Sequence, residues 1–311
     1  MHIVTSGKRY IDIDAYGGCI AYAELLRFQQ IDAIAVSSSP MNESISPKVR
    51  RWTVDFRASY EPSQGDTFSL IDVSDPVAFD GFVDLMRVDE VIDHHPGFED
   101  YWSQRPEVKT QIEFIGAACT LVYERWKKTG LLEKMTESSA RVLTCGILDN
   151  TLNFGATVTT ERDREAYDYL TQRAGLSDDW AAQYFSDCEA SIIKDIAQAV
   201  RNDTKVLTFK TFPRPVAIGQ LVVWDGRAVI DQYLDNMIRE LSLLEPDWFM
   251  NLISLSDRRS YIITKNTAVK SWLKDLLKLD FTGAFAASSR PWLRKEIIKQ
   301  DLTRHHDGVD K

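Results

Sequence analysis

Short apolar runs alternate along this chain with longer stretches in which apolar residues recur at helical spacing. His2–Thr5 reads as a strand, Gly7 to Asp14 as a loop, and Gly17–Gln29 as a helix with Ile20, Ala21, Ala23 and Leu25 on that spacing. Ile31–Val36 and Ser69–Asp72 are β-compatible, the second ending in a carboxylate. Ala78–Met86 reads as a helix, and Val88–Asp93 repeats the apolar run ending in charge. Helices are predicted over Ala117–Lys128 and Glu137–Leu148. The alternation predicts an α/β domain with a mainly parallel sheet flanked by helices. Such sheets take ligands at the carboxyl ends of their strands, where the polar clusters of this chain fall.

Past Asn153 the pattern is helical over Arg162–Ala174, Asp178–Phe185 and Glu189–Val200, and Arg201–Thr204 breaks it. Phe212–Pro215 carries two prolines and precedes a strand at Val216–Trp224. A helix at Ile230–Leu244, strands near Trp248–Leu255 and Ser260–Thr264, a helix at Thr267–Leu277 and a last strand at Phe281–Ala287 predict a second, smaller α/β domain. The expected division is a catalytic domain over 1–190, a linker over 191–212 and a second domain over 213–311, facing the first across a cleft. The polar end from His305 to Lys311 is expected to fray.

A length of 311 residues fits two domains. Lys and Arg total 37 against 46 Asp and Glu, a net charge of −9. That balance gives no bulk attraction for long nucleic acid or a membrane surface. No run approaches the roughly 18 apolar residues of a membrane-spanning helix. The start, with Lys8, Asp12 and Asp14, does not read as a signal peptide. Cys19, Cys119, Cys145 and Cys188 form no CxxC pair, which suits free thiols in a reducing cytoplasm.

The chemistry concentrates in aspartates and two histidines. Asp12 and Asp14 stand two apart before Gly17-Gly18; if extended, that spacing puts both carboxylates on one side. Asp72 and Asp93 end strands, and Asp93 leads into His94-His95-Pro96-Gly97. Asp149 follows Gly146-Ile147-Leu148. Taken singly, an aspartate at a strand end is a helix cap or a turn residue. Together, several carboxylates and imidazoles are ligands for Mn²⁺, Mg²⁺ or Co²⁺. One or two such ions would supply the positive charge that an acidic protein lacks for a phosphorylated substrate.

Asp93-His94-His95 after an apolar strand resembles the signature of the DHH phosphoesterase superfamily. The other motifs follow in order. Asp12-Ile13-Asp14 resembles the first and Asp72 the second. Gly116-Ala117-Ala118-Cys119-Thr120 resembles the glycine-initiated helix after the DHH triplet, and Gly146–Phe154 the fourth motif. Val216–Gln220 resembles the opening strand of the second domain in family II (manganese-dependent) inorganic pyrophosphatases and prune-type exopolyphosphatases. Ser289-Arg290-Pro291-Trp292-Leu293-Arg294-Lys295 loosely resembles their basic phosphate-holding segment. No Gly-Gly-Gly-His element of the DHH oligoribonucleases is present.

The resemblance implies a hydrolase that cleaves pyrophosphate or short polyphosphate with metal-activated water. Asp12 would serve one ion, Asp14, His94 and Asp149 a second, and Asp72 both. His95 would contact phosphate or protonate the leaving oxygen. Arg290, Arg294 and Lys295 would neutralise the substrate, with Arg214 and Lys210 behind them. The pyrophosphatases carry a histidine ligand four residues before the first aspartate; here Lys8 stands there, so its ammonium could take an ion's place, or with Arg9 contact phosphate. Two other readings remain open: a nucleotide or small organic phosphate phosphodiesterase, and a catalytically silent phosphate-binding protein. A homodimer through an edge strand is expected by the same analogy.

Overall fold

The computed structural model describes residues 1–307, with side chains described as far as Asp301. The expectation for His305 to Lys311 therefore lies outside the described side chains. The chain divides into two compact units, Met1–Tyr184 and Phe185–Lys311.

The first unit runs β1 (His2–Thr5), α1 (Ile13–Phe28), β2 (Ala33–Val36), β3 (Phe56–Arg57), β4 (Thr67–Ile71), β5 (Val88–Asp93), α2 (Glu99–Ser103), β6 (Lys109–Ile112), α3 (Ala118–Thr129), α4 (Glu137–Asn150) and α5 (Glu161–Arg173). Its six strands are all parallel, in the order β3-β2-β1-β4-β5-β6. The chain leaves β1 towards β2 and β3 and returns to β4 on the other side. The strand order thus reverses between β1 and β4, the position at which open parallel sheets take their ligands. Ile3, Ile34, Phe68, Leu70 and Val91 from the central strands form a buried cluster with Trp102 and Val108.

Helix α1 starts earlier than the pattern of apolar residues suggests. Asp12 is extended (φ −97°, ψ −179°) and its carboxylate caps the helix by accepting the Ala15 N–H at 3.0 Å. Asp14 is consequently helical rather than extended. Gly17 and Gly146 allow α1 and α4 to approach closely. A Cβ at Gly17 would lie 2.7 Å from the Val142 carbonyl oxygen, and one at Gly146 would lie 2.5 Å from Cys119 Sγ.

The helix expected over Ala78–Met86 is absent; a short 3-10 turn at Leu85–Arg87 is what forms there. Aspartates explain the difference. Asp75 and Asp84 each take the backbone N–H two residues on, from Val77 and Met86. Asp80 turns inward to bind the Ser38 N–H and hydroxyl. Such local bonds offer the backbone an alternative to helix. The edge strands β3 and β6 and the short helix α2 are too brief or too polar to show in the pattern.

Helix α6 (Trp180–Lys194) is followed by α7 (Ile196–Asn202), β7 (Thr204–Leu207), β8 (Val216–Val223), α8 (Gly226–Leu244), β9 (Trp248–Ser254), β10 (Arg259–Ile263), α9 (Thr267–Leu277), β11 (Phe285–Ala287) and α10 (Arg294–Asp307). The second unit's sheet has the order β11-β10-β9-β8-β7, with β8 and β9 parallel and the outer pairs antiparallel. The segment 191–212, read as a linker, instead carries α7 and β7. Asp195 caps α7 through the Gln198 N–H, and β7 pairs with β8. Among the described residues, no helix is long and apolar enough to cross a membrane.

Candidate metal centre

Three strand ends bring the predicted residues together. Asp14 lies in the first turn of α1 after β1, Asp72 directly follows β4, and His94 and His95 directly follow β5. Asp72 holds a left-handed backbone (φ 61°), uncommon outside glycine but tolerated by aspartate and asparagine. Its N–H is tied to the Ile92 carbonyl at 2.8 Å, across to the strand that delivers the histidines.

His94 is fully buried, and its Nε2 lies 3.0 Å from Asp72 Oδ1 and 3.5 Å from Asp14 Oδ2. Asp14 is also fully buried; its oxygens accept the backbone N–H groups of Ala118 and Cys119 at 2.8 Å each, at the start of α3. Those donors stabilise a carboxylate at a helix N-terminus. His95 is partly exposed, with Nδ1 2.8 Å from Asp93 Oδ1 and 3.6 Å from Asp72 Oδ1. Burial would raise the Asp93 carboxyl, but the charge of His95 and its hydrogen bond outweigh this and hold it below the ordinary carboxylate range.

One potential ligand atom each from Asp72, His94 and His95 lie within 4.8 Å of one another. The surroundings are strongly negative. Burial first, and then the charges of Asp14, Asp72 and Asp12, push the Cys119 thiol well above its usual range. Burial, Asp72 and Asp12 do the same to Cys19. Carboxylates gathered out of water with imidazoles are costly unless a cation balances them. Oxygen and imidazole donors in this number fit a divalent ion such as Mn²⁺, Mg²⁺ or Co²⁺.

Asp12 and Asp149 stand outside that tight group. Asp12 caps α1. Asp149 lies at the end of α4, its Oδ1 3.4 Å from the Tyr184 hydroxyl, which also donates to the Ser44 carbonyl at 2.9 Å. Beyond it, Leu152, Asn153 and Phe154 are consecutively left-handed, an uncommon backbone for such residues. Lys8 and Arg9 are exposed in the loop between β1 and α1.

The basic candidates of the second unit are engaged within it. Arg294 is buried and bonds Asp203 Oδ1 at 2.6 Å and the Ile218 carbonyl at 3.2 Å. Arg214 forms a two-pronged pair with Asp247. Arg290 pairs with Glu296 at 3.0 Å and stacks on Trp292, 3.5 Å from the ring centre. Lys295 is buried, and Lys210 is exposed.

Two supporting carboxylates were not singled out from the sequence as site residues. Asp93 orients His95; its place beside two histidines was the available signal. Asp163 is fully buried and accepts the Gly116 N–H at 3.2 Å, the Thr120 hydroxyl at 2.6 Å and the Thr160 N–H at 2.7 Å. It thereby fixes the start of α3, whose N–H groups hold Asp14. The Thr160-Glu161-Arg162-Asp163 spacing is a capping-box pattern that points to it.

No family model matches the chain. It is 24% identical over 234 residues to the probable manganese-dependent inorganic pyrophosphatase of Streptococcus mutans, covering 74% of each chain. It is 22% identical over 311 residues to that of Lactobacillus delbrueckii subsp. bulgaricus, covering 96% of each. Among solved structures, the putative family II inorganic pyrophosphatase of Methanococcus jannaschii superposes with a TM-score of 0.77 at 19% identity, over 99% of this chain and all of that one. An exopolyphosphatase-related protein from Bacteroides fragilis gives 0.52 at 13% identity, over 100% of this chain and 94% of that one. With the candidate donor group, these similarities support the general class of metal-dependent phosphohydrolase. In sequence and in fold, the chain resembles the manganese-dependent family II inorganic pyrophosphatases of the DHH phosphoesterase superfamily.

Proposed function

We propose that the protein hydrolyses the phosphoanhydride bond of pyrophosphate or a short polyphosphate with the help of Mn²⁺. The observation that carries this reading is the meeting of Asp72, His94 and His95, with Asp14 Oδ2 3.5 Å from His94 Nε2, where the strand order reverses. Pyrophosphatases among the relatives narrow the substrate class.

Asp72 and His94 would hold the ion, with Asp14 Oδ2 at the same His94 nitrogen as a further donor. An ion held there supplies positive charge for phosphoryl oxygens and lowers the pKa of water. Neutral His95 donates its Nδ1–H to Asp93 Oδ1 at 2.8 Å, leaving Nε2 with its lone pair. Once protonated, His95 can hydrogen-bond a phosphoryl oxygen or hand its proton to the leaving oxygen. Asp93 stabilises that charged form.

The test is phosphate release from pyrophosphate and tripolyphosphate by metal-stripped protein titrated with Mn²⁺, paired with Asp72→Asn. Manganese-dependent turnover that the variant loses is the expected result. Absence of turnover above the variant's background, on both substrates, would overturn the reading.

A further inference from the structure

We propose that Lys8 and Arg9 are the cations by which the first unit holds the phosphoryl groups of its substrate. This deepens the phosphohydrolase reading and rests on it.

The first argument is placement. The loop from β1 to α1 leaves the carboxyl end of a strand at the point of order reversal and ends at Asp12. Within it Ser6, Tyr10 and Ile11 are buried, whereas Lys8 and Arg9 are exposed side by side. Asp14, beside His94, lies two residues beyond Asp12 in the first turn of α1. Strand ends of this kind are where open parallel sheets take their ligands.

The second argument is rigidity. The Lys8 N–H donates to the Ala78 carbonyl at 2.8 Å, and the Gly7 carbonyl accepts the Ser39 hydroxyl at 2.8 Å. Gly7 also bridges to Phe79, and the Ile11 N–H donates to the Pro40 carbonyl at 2.9 Å. Segments following β2 and β4 thus clamp the loop from both sides. The backbone is set, and only the two long side chains have freedom to adjust to an anion. Preorganisation of this kind reduces the entropy lost on binding.

The third argument is availability. Neither Lys8 nor Arg9 has a side-chain ion pair or hydrogen bond among the described residues. By contrast, Arg214, Arg290 and Arg294 are matched to Asp247, Glu296 and Asp203. Freeing any of these would leave a carboxylate uncompensated, and Asp247 and Glu296 are buried. The centre itself is crowded with carboxylates, so a polyanion needs positive charge beyond one divalent ion. A lysine as a point charge beside an arginine fork suits a chain of phosphoryl oxygens.

The experiment is calorimetric binding of imidodiphosphate, whose bridging nitrogen resists hydrolysis, to the Mn²⁺-loaded full chain. Wild type, Lys8→Gln, Arg9→Gln, the double variant and Lys128→Gln are compared, and Mn²⁺ affinity is measured on each. The proposal expects each single variant to bind the probe roughly tenfold more weakly and the double variant further still. Mn²⁺ affinity should not fall, and Lys128→Gln, at the exposed carboxyl end of α3, should bind the probe as wild type does. Wild-type affinity in the double variant would overturn the role of Lys8 and Arg9 while leaving the phosphohydrolase reading intact. Failure of wild type to bind imidodiphosphate, orthophosphate or tripolyphosphate would overturn both.

Discussion

His94 Nε2 lies 3.0 Å from Oδ1 of Asp72 and 3.5 Å from Oδ2 of Asp14, with all three side chains withdrawn from solvent. Such a pairing serves two masters. It is an ion pair when the ring is protonated, and a ligand pair when a divalent ion displaces the proton.

That duality separates metal binding from folding. Asp72→Asn keeps a residue that tolerates the left-handed backbone at this position. It also removes one carboxylate from a crowded group. Metal-stripped Asp72→Asn should therefore melt at or above the wild-type temperature. Wild type should gain about 2.7 kcal/mol from Mn²⁺ at a hundred times its dissociation constant, and the variant far less. Thermal melts with and without Mn²⁺ check this. An equal Mn²⁺-induced shift in both proteins would remove Asp72 from the ligand set.

Asp163 supports the site from a distance. Asp163→Ala leaves the Gly116 and Thr160 N–H groups and the Thr120 hydroxyl without their acceptor. The expected loss is about 3 kcal/mol of unfolding free energy. Because Gly116 and Thr120 bracket the N–H groups that hold Asp14, Mn²⁺ affinity should fall as well. Denaturant unfolding and Mn²⁺ calorimetry test the two effects separately. A normal Mn²⁺ affinity in a destabilised variant would confine Asp163 to folding.

Arg162 joins Glu113 at 2.6 Å and Glu124 at 2.6 Å. Its hydrogen bond holds the Glu113 carboxyl below the ordinary value of 4.5, against a smaller opposing effect of burial. A carboxyl depressed in the folded state stabilises above the unfolded value, and that contribution is lost as pH falls through the folded one. All three side chains are partly exposed, so the gain at neutral pH is roughly 0.5 kcal/mol. Arg162→Gln should thus melt slightly below wild type at pH 7, with the gap closing between pH 5 and pH 3. A gap that persists at pH 3 would assign the effect to packing.

Much of this was legible in the chain. His2–Thr5, Val88–Asp93 and Thr267–Leu277 form the elements that their patterns predict. Strand β4 runs straight into Asp72 and strand β5 ends in Asp93, because residues at a parallel strand's carboxyl end meet ligand or solvent rather than core. What the pattern could not show was competition for a side chain. Asp80 serves Ser38 instead of a helix, and Asp12 both starts α1 and belongs to the motif. Arg294 reads as a basic surface residue in sequence, but Asp203, far away in the chain, draws it into the interior. Pairing across such separations leaves no trace in local spacing.

Gly146 carries the sharpest dependence of site on backbone. A Cβ there would meet Cys119 Sγ at 2.5 Å and the Cα and Oδ1 of Asp14 at 3.1 Å each. Real Cβ atoms do not tolerate the first distance, so α4 must retreat from α1 and α3, or Cys119 must move. Either shift disturbs the turn that presents Asp14 to the Cys119 N–H. Overpacking of this kind costs about 1–3 kcal/mol. Gly146→Ala should lower the melting temperature and weaken Mn²⁺ binding together. Cys119→Ala removes the sulfur, the nearest obstacle, at the cost of a small cavity, and the pair should couple. The double variant Gly146→Ala/Cys119→Ala should then be more stable than the sum of the single effects predicts, by at least about 0.5 kcal/mol. It should also recover part of the Mn²⁺ affinity. Additivity within error would show that the methyl group is accommodated elsewhere and that α4 does not position Asp14 through this contact.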